Sequence, residues 1–289
     1  MKAKIAVHLH LYYLDMWENI KNSYLVNLDS DYFLYVTMNE DNEEIKKDIL
    51  SFHPNSKIVK IENLGFDIGP FIYFLHDINL DEYEYLLKIH TKGSSRKVYC
   101  YYPKNYYIDY KIWFKLLADA LLKDKATWHK NLTHFENDKT LGMLSSKYTI
   151  YRGEKAMCGN EQNIFNLLQK MNYHYDDSME FVVGTIFMVR SQLMKVIKDN
   201  ITFDDFANSL NAQDGTISHA IERILGYVIQ VQGYNIKGYD FNLKVLWDTF
   251  RLGKVGRFFF DKRITSKNYL LIRILGIPVF HKKLTDNPK

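Results

Sequence analysis

The first 92 residues constrain the fold more than any other stretch, because short apolar runs of strand length alternate there with segments whose apolar residues recur at helical spacing. "KIAVHLHLYY" predicts a strand. "LDMWENIKNSYLVNL" follows with Leu14, Trp17, Ile20, Tyr24, Leu25 and Leu28 at helical intervals. The same alternation continues through "DYFLYVT" (strand), "NEEIKKDILSFH" (helix, ended near Pro54), "KIVKIEN" (strand), "GPFIYFLHDI" (helix opening at Gly69-Pro70) and "YEYLLKIHTK" (strand). Strands alternating with helices over short connections make an α/β fold with a mostly parallel sheet flanked by helices. Ligands of such sheets bind beyond the carboxyl ends of the strands, so the functional loops are expected to start at Tyr12, Asn39, Asn63 and His90.

From Gly93 to about Leu141 the chain reads as helical and aromatic. "TLGMLSS" and "EFVVGTIFMVRSQLM" each read as a buried strand, "DGTISHAIERILGY" as a helix with Asp214 as its N-cap, and "YVIQVQGYNI" as a closing strand. The expected division is one domain over 1–244 and a tail over 245–289. That tail carries ten Lys or Arg against three Asp, a net +7, and leaves the first 244 residues at −3 although the whole chain stands at only +4. Its sequences "LGKVGRFFFDKR" and "YLLIRILGIPVFHKK" interleave apolar and basic residues, the pattern of a segment that meets an anionic membrane surface, with packing on the domain as the competing expectation. No nucleic-acid-binding module is recognisable. Two cysteines without paired spacing exclude a disulfide scaffold and a Cys-rich zinc site, and no run reaches 18 apolar residues. A cytoplasmic protein, peripheral on the inner face of the plasma membrane, is the expectation.

Three loops carry the candidate chemistry. In "ENLGFDIGPF", Gly65 and Gly69 permit close backbone approach and the helix start offers free N–H groups, although a turn alone would also use them. "KIHTKGSSRK" runs from a buried strand straight into His90, Lys92, Arg96 and Lys97, a set of cations suited to a diphosphate or else a solvated basic loop. "QDGTISHAIER" places Asp214 before a helix on which His219, Glu222 and Arg223 share a face, as an acid/base group or as cap and intrahelical pair; its His219 and Glu222 fall short of a zinc-protease HExxH.

Taken in order, these stretches resemble the rhamnan synthesis protein F family. "VHLHLYYLDMWENI" is similar to its opening strand and helix, "NLGFDIGPF" to its NxGxDIGPF loop, "YLLKIHTKGS" to its KIHTKxS strand end, "VVGTIFMVR" to its GTMFWxR segment with Gly184, Thr185 and Arg190, and "DGTISHAIER" to its DGTxxHAxER helix with His219. Phe66 and Met188 depart from the Arg and Trp the family often carries. The resemblance implies a GT-A-like glycosyltransferase of bacterial surface polysaccharide, with residues 1–97 holding the nucleotide and 98–244 the acceptor. It implies inverting transfer of a rhamnosyl group from dTDP-rhamnose to a lipid-linked glycan. Tyr12 and Asn39 then border base and ribose, Asp67 and Gly69 meet ribose or donor sugar, and His90, Lys92 and Arg96 hold the diphosphate. Asp214, with Glu222 second and Asp176 or Asp177 behind them, takes the acceptor proton. Where GT-A enzymes end a strand in a metal-binding DxD, this chain has His90-Thr91-Lys92, so no cofactor and no divalent metal are expected. A non-catalytic scaffold and a sugar-phosphate transferase are the rival readings.

Overall fold

The computed structural model describes residues 4–93, 99–102, 106–153, 157–206, 216–264 and 269–283. In chain order they form β1 (Ile5–Leu11), α1 (Trp17–Ser23), β2 (Tyr32–Met38), α2 (Glu43–Phe52), β3 (Ser56–Lys60), α3 (Ile68–Asp77), β4 (Tyr85–His90), β5 (Tyr99–Tyr102), β6 (Tyr106–Asp109), α4 (Trp113–Leu122), α5 (Lys125–Asn137), β7 (Leu141–Leu144), β8 (Ile150–Arg152), α6 (Glu161–Lys170), β9 (Glu180–Val182), β10 (Phe187–Arg190), α7 (Lys195–Asn200), α8 (Ile217–Val231), β11 (Asn235–Lys237), α9 (Leu243–Leu252), α10 (Lys254–Phe259), β12 (Phe260–Ile264), β13 (Tyr269–Ile274) and β14 (Ile277–Lys283).

Seven strands form the central sheet in the order β11-β7-β10-β4-β1-β2-β3. All run parallel except β10, which is antiparallel to both β4 and β7. This is the α/β arrangement with a mostly parallel sheet expected from the alternating pattern. All seven residues of β1 and all six of β4 are buried, because helices cover both faces of a parallel sheet and leave its central strands no solvent side. On one face α3 packs against β1 and α8, burying Phe71, Ile72, Phe74 and Leu75 completely. Each such side chain contributes roughly 1.5–3 kcal/mol. Helix starts follow the chemistry of their caps: Asn42 accepts from the Ile45 N–H at α2, Asp124 from Thr127 at α5 and Asn242 from Val245 at α9.

The chain divides into two compact units, residues 1–94 with 114–240, and residues 95–113 with 241–289. The first holds the central sheet. In the second, the β5–β6 hairpin is joined by α9: the Tyr107 N–H donates to Thr249 Oγ1, and Lys244 pairs with Asp109 (3.3 Å) and Asp248 (2.7 Å). Strands β12, β13 and β14 form an antiparallel sheet beside α10.

Several elements differ from the sequence reading. Residues 99–102 and 106–109 are a β-hairpin rather than helix, and the basic tail is folded into helices and strands. "EFVVGTIFMVR" is two short strands broken by left-handed residues Gly184 (φ 85°) and Thr185 (φ 46°). "YVIQV" continues α8, whose buried Ile221, Ile224, Leu225, Val228 and Ile229 keep the helical period, and the closing strand is only Asn235–Lys237.

Candidate functional site

Parallel registry builds a polar layer into the sheet. His8 lies beside Tyr35 and Lys88, and His10 beside Thr37 and His90, so the alternation of side chains along each strand brings all six to one face near the carboxyl ends of β1, β2 and β4. All are buried. The Thr37 hydroxyl lies within hydrogen-bond reach, 3.0 Å, of both His8 Nε2 and His10 Nδ1. Lys88 Nζ donates to Asp67 Oδ2 (2.6 Å) and to the carbonyl and hydroxyl oxygens of Thr185 (3.1 Å each), while Thr185 Oγ1 donates to the same Asp67 oxygen (2.5 Å). His90 Nδ1 stands 3.5 Å from that carboxylate, and its Nε2 is buried with no hydrogen-bond partner.

Asp67 reaches Lys88 because the preceding loop turns sharply. Gly65 (φ 73°) and Phe66 (φ 55°) are both left-handed, and the Ile68 and Gly69 N–H groups donate back to the Gly65 carbonyl. A Cβ on Gly69 would lie 2.0 Å from the Leu64 carbonyl oxygen, so only glycine allows the helix to start this close to its own loop. Phe66 pays for no core contact with its left-handed backbone; its half-exposed ring rests against His219 at 5.7 Å.

Burial alone would raise the Asp67 carboxyl, but His90, Lys88 and Lys92 around it outweigh that and hold it well below the usual carboxylate range. Burial pushes Lys88 down although Asp67 pulls it up. His90 is also pushed well below its ordinary value, by burial first and by the Lys88 and Lys92 charges, against Asp67. That direction favours the neutral form of the His90 imidazole. The pair that carries charge is Lys88–Asp67.

Beside this layer, a cleft of about 850 Å³ opens at the ends of β1, β2 and β3, lined by Tyr12, Tyr13, Asp15, Asn39, Lys60 and Asn63 among others. The Tyr12 and Tyr13 N–H groups both donate to Thr91 Oγ1 (3.0 Å each), which ties the exit of β1 to the end of β4. Asn39 donates to the Ile61 carbonyl, leaving its buried Oδ1 without a partner.

The structure thus brings Tyr12 with Asn39, and Asp67 with His90 and Thr185, while Gly65 and Gly69 shape the loop. Glu222 accepts from the Gly184 N–H (2.9 Å), holding the turn that carries Thr185. Arg190 stands apart: it pairs with Tyr85, the first residue of β4, at the opposite end of the strand from His90, and donates to the carbonyls of Leu141, Phe135 and Asp138. It clamps the sheet at that end, apart from the Asp67–Lys88 layer. Asp214 and Arg96 lie outside the described residues. His8, His10, Thr37 and Lys88 escape the sequence reading, although polar residues two apart in otherwise apolar "VHLHL" and "LLKIH" are their signal.

The fold is an α/β one with a mostly parallel seven-stranded sheet, and the candidate site lies at its strand ends. The family model for rhamnan synthesis protein F matches residues 1–234, and the chain belongs to that family. The curated relatives it matches are the uncharacterised WxcX proteins of two Xanthomonas campestris pv. campestris strains, B100 and ATCC 33913, each 22% identical over 234 residues. Those residues are 80% of this chain but 32% of either relative, so the chain spans about a third of their length. Among solved structures it is similar to a mannosyltransferase of Pyrobaculum calidifontis in complex with GDP-Man and Mn²⁺ (12% identity, TM-score 0.41, 82% of this chain and 54% of that one). It is also similar to residues 1–349 of S. aureus TarS with UDP (13%, 0.43, 86% and 64%). A third is the glucosyl-3-phosphoglycerate synthase of Mycobacterium tuberculosis with Mn²⁺, UDP-glucose and glycerol 3-phosphate (11%, 0.36, 97% and 90%).

Two of those structures hold Mn²⁺ with the nucleotide sugar, and this overturns the expectation that the lack of a DxD makes the site metal-independent. Among the described residues no group of three or more His, Cys, Asp or Glu is placed to hold a metal. Asp67 Oδ2 is already held by Lys88 Nζ and Thr185 Oγ1, and a hard ion such as Mg²⁺ or Mn²⁺ prefers oxygen to the His90 imidazole, so these residues offer it one carboxylate at most.

Proposed function

We propose that this chain is a glycosyltransferase of bacterial surface-polysaccharide synthesis, moving a rhamnosyl group from dTDP-rhamnose to a hydroxyl of a lipid-linked glycan with inversion. The observation that carries the reading is the cleft holding Tyr12 and Asn39 next to the Asp67–Lys88–Thr185 layer, at the strand ends where α/β folds bind nucleotides. The Tyr12 ring offers a stacking surface to the base, and Asn39 lines the same cleft where base or ribose would lie. Lys92 and Arg96 meet the diphosphate as charge develops on it. Lys88 fixes the Asp67 loop and the Thr185 turn together, so both are preset before the donor arrives. A divalent ion carried by the donor phosphates would add to the neutralisation of the leaving group, with Asp67 rather than His90 as the side chain able to meet it. Asp214 takes the acceptor proton, with Glu222 as the second candidate.

Titration calorimetry with dTDP, UDP and GDP, with Mn²⁺ and with chelator, tests the donor site. Binding of a nucleoside diphosphate, strengthened by Mn²⁺, is expected. No binding of any of the three under either condition would end the reading. Asp214→Asn keeps the size of the side chain while removing the base, so turnover of dTDP-rhamnose falls by roughly 10² to 10⁴ with donor affinity kept. Full turnover in that variant would pass the role to Glu222.

A further inference from the structure

Most of the large apolar side chains exposed among the described residues belong to the second unit, from Phe241 to Phe280. On α9, Val245 and Asp248 are buried, while Trp247 (62% exposed) and Phe250 stack on each other at 5.9 Å on the open side. A groove of about 740 Å³ continues from them, lined by Trp247, Phe250, Arg251, Arg257, Phe259 and Lys262 among others. The turn between β13 and β14 is fastened to the same edge, since the Leu275 and Gly276 N–H groups donate to the carbonyls of Phe259 and Phe258. Ile274, Leu275 and Ile277 therefore extend the patch, and every residue of β14 is exposed.

Charge accompanies this apolar edge. The unit carries fifteen Lys and Arg against four Asp and no Glu, a net +11, whereas the first unit stands at −7. Apolar aromatics and aliphatics interleaved with cations match one kind of surface, an anionic bilayer, whose acyl boundary accepts the former and whose phosphates accept the latter. The same face of a second copy would be repelled by like charge. A nucleic acid would leave the exposed aliphatics Leu275, Ile277 and Val279 without a partner. No helix among the described residues is long and apolar enough to cross a membrane, so a bilayer would be met at its surface.

We propose that the edge formed by Trp247, Phe250, Phe258 to Phe260 and the Leu275–Ile277 turn is a membrane-interface surface that seats on anionic phospholipid, with Arg257 and Lys262 at the headgroup phosphates. This inference is independent of the sugar donor, because none of these residues belongs to the nucleotide site.

The test is flotation of the full chain with vesicles of phosphatidylcholine alone and of phosphatidylcholine containing one third phosphatidylglycerol. Binding to the anionic vesicles, weakened by salt and weak on phosphatidylcholine alone, is expected. Trp247→Ser with Phe259→Ser and Phe260→Ser should lower it about tenfold. Lys262→Glu should reduce the dependence on phosphatidylglycerol. The replaced side chains are exposed, so thermal melting should be unchanged, and an unchanged melt together with lost flotation supports the surface. Flotation equal in the parent and the triple variant overturns the proposal. So does absence of flotation with anionic vesicles, including the case in which light scattering finds a dimer that the triple variant abolishes.

Discussion

His10 shows how a single buried side chain ties stability to pH. Burial pushes its imidazole down to about 4, with the Asp67 carboxylate pulling the other way. In the unfolded chain the ring takes its proton near the ordinary value of about 6.5. The stabilisation is thus complete above that pH and is lost as the pH falls toward 4, by about 2 kcal/mol at pH 5. His8 and His90 are shifted in the same direction, burial being the first cause for each, and add to the loss. Urea unfolding near neutrality and at about pH 5, for the parent and for His10→Gln, checks the size of the single-residue term. The variant should lose about 2 kcal/mol less than the parent over that interval. Equal losses would mean that His10 is protonated in the folded protein. At this scale the sequence reading finds the loop residues, because Asp67 and His90 stand at predictable strand and helix ends. It does not find Lys88, because a lysine inside an apolar strand reads as a surface position until the partner that neutralises it, 21 residues away, is known.

Elements were legible where one physical rule acted alone. The strand–helix alternation through His90 follows from burial of both sheet faces, and the starts of α2 and α9 from their Asn caps. The rule failed where tertiary pairing decided: "YCYY" and "YYID" have no helix-breaking residue between them but Pro103, and become strands by pairing with each other. The loop into α3 belongs to the legible part, and its tightness makes a prediction. Gly69→Ala places a methyl group against the Leu64 carbonyl, which is backbone and cannot rotate away. The loop must shift and carry Asp67 off Lys88. A loss of about 1–3 kcal/mol is expected, seen as a melting temperature several degrees lower, with weaker nucleoside-diphosphate binding. An unchanged melt would show that the loop has slack the geometry does not reveal.

On the scale of the whole molecule the two units differ in what holds them. The first buries most of the apolar core, from Ile5 in β1 to Ile236 in β11. The second, 19 residues from mid-chain joined by the last 49, has Ile108, Trp113, Val245 and Leu271 as the large buried apolar side chains among its described residues. An assembly of about 70 residues supplies only a few kcal/mol from one core, and this one must also close a long intervening segment. The sequence hides this arrangement, since nothing local in "VYCYYPKNYYIDYKIW" announces its partners in α9. Local opening should therefore be easier in the second unit. Native-state hydrogen exchange is expected to show amides of β6, β13 and β14 exchanging at least tenfold faster than those of β1, β2 and β4, with α9 intermediate because Val245 and the Asp248 carboxylate are buried in its packed side. Anionic vesicles should slow exchange selectively at α10 and the β13–β14 turn if that edge meets lipid. Uniform protection across both units would instead mean that they open as one cooperative body, and that the sparse buried core of the second unit is reinforced by contacts outside its own residues.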